Sequence, residues 1–144
     1  MSRIVCLGFA SIFVISGCRT LEREGAVPLP EDAPPLSYID MVNRARGQAA
    51  SALDAYYIDA WLELEQAAQR LEQTARLLPK STHVPERFKS TLAPEADQLR
   101  KDAAELLEAA RGRNAKQVND TMQRINLRIR QLRPPEKKLE SDSK

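Results

Sequence analysis

Apolar residues recur every three or four positions along four stretches of this chain, a spacing that places them on one face of an α-helix. Short connections join the stretches, so we predict an all-α fold, an antiparallel up-down-up-down four-helix bundle over residues 36–134. The helices should span about 37–56, 60–78, 94–110 and 115–133. Their predicted inward positions are Tyr38, Met41 or Val42, Ala45, Ala49, Ala52 or Leu53, and Tyr56; Ala60 or Trp61, Leu64, Ala67 or Ala68, Leu71, Ala75 and Leu78; Ala96, Leu99, Ala103, Leu106 or Leu107, and Ala110; and Val118, Met122, Ile125, Ile129 and Leu132.

Several helix ends carry signals in the sequence. Ser37, with Asp40 three residues on, has the pattern of a capping box and should begin the first helix. Pro79 should end the second helix, because the residue before a proline disfavours the helical conformation. Gly112 and Asn114 supply C-cap chemistry to the third helix.

The first two helices meet at Tyr56–Asp59, where the apolar pattern changes phase. We predict a tight turn there, with Asp59 capping the second helix. One continuous helix is the alternative, because neither Gly nor Pro marks a break. Between the second and third helices, Pro85 can begin a short helix whose Phe88, together with Leu92, packs back onto the bundle.

The N-terminal segment indicates where the chain is located. An apolar run, residues 4–15, follows Arg3 and ends at Ser16-Gly17-Cys18. This segment resembles a bacterial lipoprotein signal, in which the cysteine thiol receives a lipid and the chain is cut before it. The resemblance predicts a signal peptide over 1–17 and membrane attachment through Cys18. An ordinary signal peptide or a short membrane anchor with an incidental cysteine is the alternative.

Polar segments flank the predicted bundle. Residues 18–35 hold four prolines and should form a semi-stiff tether, of which 17 residues would reach roughly 50 Å at about 3.1 Å each. Residues 135–144 should be a disordered polar tail. Arg19 follows the cysteine where inner-membrane lipoproteins carry Asp. By that resemblance we expect a cell-envelope location, at the outer membrane facing the periplasm if the host is Gram-negative.

Composition and charge narrow the function. The net charge is only +2 and aromatic residues are few, which does not favour nucleic-acid binding. The single histidine, His83, falls in a predicted loop, and no carboxylate forms the Glu-x-x-His pattern of di-iron bundles. We therefore predict that the protein is not an enzyme and has no metal site or cofactor.

Basic residues outnumber acidic ones from Arg113 to Lys138. Arg124 and Arg128 lie one helical turn apart, on the face expected to lie opposite the apolar stripe. One hypothesis is that they contact an anionic partner, such as lipid head groups. The other, which we favour, is a solvated face balanced by the acidic third helix.

Residues 41–133 resemble a cytochrome c-prime-type four-helix domain. The resemblance rests on Met41, on Asp59 and Trp61 at the start of the second helix, on Pro85-Glu86 with Phe88, and on the third helix with Ala109-Ala110-Arg111 and Asn114. It implies a bundle related to haem proteins, which often form dimers through the first helix. The alanine-rich stretch 49–55 would permit such a homodimer.

This chain departs from that family at the haem attachment motif. The Cys-x-x-Cys-His positions fall on Ile129, Leu132 and Arg133, or in a shifted register on Ile125, Arg128 and Ile129. The resemblance therefore implies no covalent haem. The expected function is a tethered module that binds another envelope component or has a structural role. The alternative is a non-covalent haem or small-ligand carrier, or an electron-transfer protein, with Met41 and Met122 as haem ligands.

Overall fold

The four apolar stripes fold into helices close to the predicted positions. The computed structural model describes residues 28–30 and 34–134. Five α-helices occur in this part of the chain, and the connection after the second begins with a 3₁₀ turn at Leu78–Lys80. The helices are α1 (Tyr38–Tyr57), α2 (Trp61–Leu77), α3 (Glu86–Lys89), α4 (Leu92–Arg111) and α5 (Ala115–Leu132). The all-α prediction is confirmed for the described residues, where no strand is found.

The four long helices bury their stripes in one shared core. The helix α2 packs against α1 and α4, while α5 packs against α4 and α1. Central positions of the core are occupied by leucine and isoleucine, whereas the helix seams are rich in alanine. The larger buried side chains include Leu64, Leu71, Leu78, Leu99, Leu106 and Ile125, and the buried alanines include Ala45, Ala49, Ala52, Ala67, Ala68, Ala75, Ala96, Ala103, Ala109 and Ala110.

A side-chain cap and a pair of backbone hydrogen bonds fix the start of α1. The Ser37 hydroxyl caps the helix by accepting a hydrogen bond from the backbone N–H of Asp40, as predicted. The backbone N–H of Tyr38 donates to the carbonyl oxygen of Thr82 at 2.8 Å, and Thr82 N–H donates to the carbonyl of Leu36 at 2.9 Å. The loop after α2 therefore holds the entry to α1.

The turn between α1 and α2 confirms the predicted break and corrects its capping. Asp59 has φ 55°, in the left-handed region, and Ala60 N–H bonds to the carbonyl of Ala55 at 2.9 Å. This is a Schellman motif, a helix end that usually carries glycine at the left-handed residue. The prediction that Asp59 caps α2 is wrong, because the N-cap is Ala60 and makes no side-chain bond.

The connection from α2 to α4 contains the predicted short helix. Phe88 in α3 is buried and stacks on Tyr38 with ring centroids 5.3 Å apart, and Leu92 is also buried. The helix α4 begins at Leu92 rather than at Pro94. Proline is tolerated there because the first turn of a helix leaves its N–H groups without intrahelical partners.

A second Schellman motif ends α4. Arg113 has φ 49°, and the N–H of Asn114 bonds to the carbonyl of Ala109 at 2.9 Å. Gly112, predicted as C-cap chemistry, is the C-cap residue but has an ordinary φ of −77°. Asn114 serves as the N-cap of α5 by accepting from the N–H of Gln117. The left-handed position is therefore filled by an arginine one residue after the glycine.

Hydrogen bonds at both ends join α1 to α5. The Tyr38 hydroxyl donates to the carbonyl of Leu132 at the end of α5. Near the other end, the Tyr56 hydroxyl donates to the carbonyl of Ala115 at 3.4 Å. The two helices therefore run in opposite directions.

Part of the predicted tether lies on the helices. The Gln73 side-chain amide donates to the carbonyl of Leu29 at 2.8 Å and accepts from its N–H at 3.1 Å. The Leu29 and Leu36 side chains also pack against the core. An apolar side chain and a matched amide thus attach Leu29, near the C-terminal end of the predicted tether, to α2. Residues 1–27, 31–33 and 135–144 lie outside the described part, and they include the whole predicted signal, the whole predicted tail and most of the predicted tether.

Burial of Tyr38 should make stability fall at high pH. Burial raises the pKa of the Tyr38 hydroxyl to about 12, against an opposing effect of nearby Arg87. Since this pKa lies above the value of 10.0 for an unperturbed tyrosine, the folded state holds its proton more tightly than the unfolded state. The stabilisation is complete below pH 10 and is lost as the pH rises toward 12.

Urea unfolding between pH 8 and 11.5 measures this effect. Tyr38→Phe should flatten the fall in the free energy of unfolding above pH 10. Tyr57→Phe, at a residue that is 74% exposed, should keep the wild-type slope. Equal slopes for Tyr38→Phe and the wild type would contradict the assignment.

Arg113→Gly should stabilise the fold. A side chain in the left-handed region costs about 1 kcal/mol, which glycine avoids, so urea unfolding should give a gain of about that size. The control is Gly112→Ala, where a Cβ would lie 3.4 Å from the carbonyl oxygen of Glu108, an ordinary contact. That variant should be neutral or more stable by about 0.5 kcal/mol. A loss of stability in Arg113→Gly would refute the argument.

Candidate functional site

The turn between α1 and α2 presents a cluster of exposed apolar side chains, here called the tip. Tyr57, Ile58 and Leu62 are 74%, 75% and 65% exposed. The Schellman turn produces this cluster, because it reverses the chain before these residues can reach the core. Exposed apolar residues are normal when scattered, whereas a contiguous group at one end of a fold marks a candidate interaction surface.

Aromatic contacts support the tip from below. The Tyr56 and Trp61 rings meet edge to face with centroids 6.0 Å apart, and both residues are half-buried. The side-chain amide of Asn119 on α5 donates to the Tyr56 hydroxyl at 3.1 Å. The base of the tip is therefore attached to α5 as well as to its own hairpin.

Acidic residues surround the tip. Asp54, Asp59 and Glu63 are all exposed on the same turn or on the adjoining helix ends. The start of α1, next to the described residues of the predicted tether, is at the opposite end of that helix. The tip is therefore an apolar surface with an acidic rim, and it lies at the far end of α1 from those residues.

Sequence reasoning missed the tip. It assigned Tyr56 and Trp61 to the core stripe and treated Tyr57-Ile58 only as a change of phase. The sequence did hold a signal for it, because Tyr57 and Ile58 are two consecutive large apolar residues that fit the apolar stripe of neither helix.

Arg124 and Arg128 make an ion-pair network with α4. The Nε atom of Arg124 lies 3.2 Å from Asp102 Oδ1, and its Nη2 lies 2.5 Å from Glu105 Oε2. Arg128 Nε lies 2.5 Å from Asp102 Oδ2, and its Nη1 lies 3.4 Å from Glu95. Both guanidinium groups thus flank the core and turn toward α4, which corrects their predicted place on the face opposite the apolar stripe.

A single carboxylate joins the two arginines. The side chain of Asp102 is only 9% exposed and gives one oxygen to each guanidinium. Hydrogen bonds from Arg124 to Glu105 and Asp102 raise its pKa above the ordinary value, although burial opposes the shift. The contacts favour the interpretation in which acidic α4 balances α5. Contact of Arg124 and Arg128 with an anionic partner stays an untested prediction.

Met41 and Met122 are both buried, at 2% and 3% exposure, as core positions should be. Haem ligation by both requires their sulfur atoms on opposite sides of one iron. Because Tyr38 lies opposite Leu132 and the two helices are antiparallel, Met41 lies at the level of residue 129. Met122 is seven residues from that level, which is roughly 10 Å along the helix axis. Side chains lean toward the N-terminus of their own helix, so in this opposed pair they diverge further. The geometry gives the bis-Met hypothesis no support.

The alanine-rich stretch 49–55 faces inward. Ala49, Ala52 and Ala55 are buried against the other helices of the same chain. A homodimer through α1 stays a prediction, and it would have to use outward residues such as Ala50 and Asp54.

The remaining predicted sites lie outside the helices or outside the described part. His83 is exposed, with a left-handed backbone, and its ring nitrogen Nδ1 lies 3.1 Å from the Thr82 hydroxyl. Within the described ranges, no group of three potential ligands among His, Cys, Asp and Glu could hold a metal ion. None of the helices described here is long and apolar enough to cross a membrane. Cys18 lies among the residues the structure does not describe.

Comparison of the chain with protein families, with curated proteins and with solved structures gave no match.

Loss of Asp102 should destabilise the protein. Asp102→Ala leaves two partly buried guanidinium groups without their shared carboxylate, although Glu105 and Glu95 keep some pairing. We expect a loss of about 2 kcal/mol in the free energy of unfolding by urea, below the range for a fully buried pair. Asp97→Ala removes pairs with Arg100 and Lys101 on an exposed surface and should cost less than about 1 kcal/mol. Equal losses in the two variants would show that the network adds nothing.

Proposed function

We propose that this chain is a lipid-anchored protein of the bacterial cell envelope whose helical module binds another envelope protein and catalyses no reaction. In this proposal Cys18 carries the lipid, and residues 19–28 connect it to Leu29 on the helices. The long helices form an antiparallel up-down-up-down bundle of the cytochrome c-prime type without its haem. For a Gram-negative host, the bundle lies in the periplasm beneath the outer membrane.

The tip is the observation that carries the binding function. Tyrosine is one of the residues that most often contribute strongly to binding at protein interfaces, and surrounding apolar contacts exclude water from it. Tyr57, Ile58 and Leu62 are exposed together over a supported base and at the end of α1 remote from the tether. A surface in this place is directed away from the anchoring membrane, toward other components of the envelope.

The acidic rim favours a protein partner over a lipid surface. Asp54, Asp59 and Glu63 would be repelled by anionic head groups. The complementary surface is an apolar pocket with basic residues at its edge. The opposed directions of α1 and α5, and the contacts of α1 with α2, α2 with α4 and α4 with α5, support the bundle topology.

Site-specific photocrosslinking in intact cells tests the proposal. A photoreactive amino acid at Ile58 or Leu62 of the full-length chain should give one discrete crosslinked protein. The same amino acid at Leu127, which is 57% exposed on α5, is the matched control and should give none. Adding Tyr57→Asp should remove the crosslink, because a charge is placed in the apolar contact.

The anchor is tested in the same cells. Cys18→Ser should abolish labelling by a palmitate analogue and should reduce the crosslink at Ile58, because the tip is no longer held near its partner. Labelling that persists in Cys18→Ser would overturn the anchor. Equal crosslinking at Ile58 and Leu127 would overturn the role of the tip.

A further inference from the structure

A polar seam lies where α1 packs on α2. It consists of Arg44 and Gln48 on α1 and of Arg70 and Thr74 on α2, each pair one helical turn apart. Gln48 and Thr74 are 2% and 0% exposed, and the two arginines are half-buried. Polar side chains beside a core otherwise built of Ala and Leu require hydrogen-bond partners.

Arg70 lacks a counter-ion. Among the described residues no carboxylate pairs with its guanidinium group, and its Nε is buried without a hydrogen-bond partner. One turn further along α2, the buried hydroxyl of Thr74 also has no partner. A partly buried cation without an opposite charge is unusual, because removing it from water costs free energy that a partner normally offsets.

The other arginine of the seam, Arg44, adds to its positive charge. Burial lowers the pKa of Arg44, and the guanidinium of Arg70 lowers it further. The two cations are therefore close enough to repel each other. Arg44 takes part in another interaction of its own, so the positive charge without a counter-ion in this seam is that of Arg70.

Arg70 opens into a groove on the outer side of α2. The groove has a volume of about 640 Å³, and Gln66 and Gln69 line it beside Arg70. Gln73 and Arg76 also line it, but Gln73 holds Leu29 and Arg76 already takes part in another interaction. Glu72 is the acidic residue of the lining. Donors of hydrogen bonds thus outnumber acceptors, and the space is large enough for a small ligand.

We infer that this groove binds a phosphate group through Arg70, with the amides of Gln66 and Gln69 as further donors. A guanidinium group matches the geometry of phosphate oxygens with two parallel hydrogen bonds. The anion also relieves the repulsion between Arg70 and Arg44. The site is separate from the tip and does not depend on lipid attachment at Cys18.

A titration of the full-length chain in detergent with glycerol phosphate, at constant ionic strength in chloride, tests the site. The nitrogen–proton NMR signal of Arg70 Nε should shift and saturate. Arg70→Gln should weaken binding at least ~10-fold, as expected for loss of a charge-assisted bidentate contact. Arg46→Gln, the same change at an exposed residue of α1, should leave binding unaltered. Equal binding by both variants would overturn the site, as would shifts that fail to saturate both with glycerol phosphate and with the lipid vesicles described below.

Thermal unfolding separates binding from a structural role. In chloride, Arg70→Gln should keep or raise the unfolding temperature, because the repulsion with Arg44 is removed. A lower temperature in chloride, together with unchanged binding, would show that Arg70 is structural and refute the inference. If Arg70→Gln does not fold, Arg70→Lys keeps the charge, loses the bidentate geometry and should bind several-fold more weakly.

A second titration distinguishes a soluble phosphate ester from a lipid head group. Vesicles of phosphatidylglycerol replace glycerol phosphate with the same Arg70 signal as readout. Saturation by glycerol phosphate alone identifies a soluble phosphate ester, and saturation by vesicles alone identifies a lipid head group. Failure of both ligands would overturn the site.

Discussion

The close approach of the helices is the constraint on which the rest of this structure depends. Alanines line the seams of α1, α2 and α4, and their small side chains let neighbouring backbones come near each other. The leucines and isoleucines that remain must then fill a narrow centre, where most are less than 1% exposed. Protein cores are close-packed, so the side chains that fill this narrow centre must fit closely against one another.

Polar contacts then determine how the packed helices are aligned. Tyr38 and Tyr56 join α1 to α5 at its two ends, and Asp102 holds two arginines of α5 against α4. Non-directional apolar packing permits helices to slide or rotate, whereas these bonds favour one register. This arrangement leaves two candidate binding surfaces exposed. They are the tip at one end and the groove along α2.

The sequence predicted the helices well because their stripes are long and regular. Ser37, Phe88 and Leu92 took their predicted roles because each follows a local rule. The helix ends were harder, because Asp59 and Arg113 occupy left-handed positions that normally belong to glycine. Their conformation is imposed by the tertiary packing of the helices they join. The candidate site could not be predicted from the sequence for a related reason. The exposure of Tyr57 and Ile58 depends on the geometry of the turn between α1 and α2.

The clamp between Gln73 and Leu29 has a consequence for the distances over which the protein works. With Leu29 held on α2, ten residues (19–28) lie between it and the proposed lipid at Cys18, and such a segment can span at most about 31 Å at about 3.1 Å per residue. The tip lies a further ~30 Å away along α1. A binding surface confined to a thin layer above a membrane meets its partner at a high effective concentration, and even a weak contact is then occupied most of the time. A longer free tether would spread the same tip through a larger volume and dilute it.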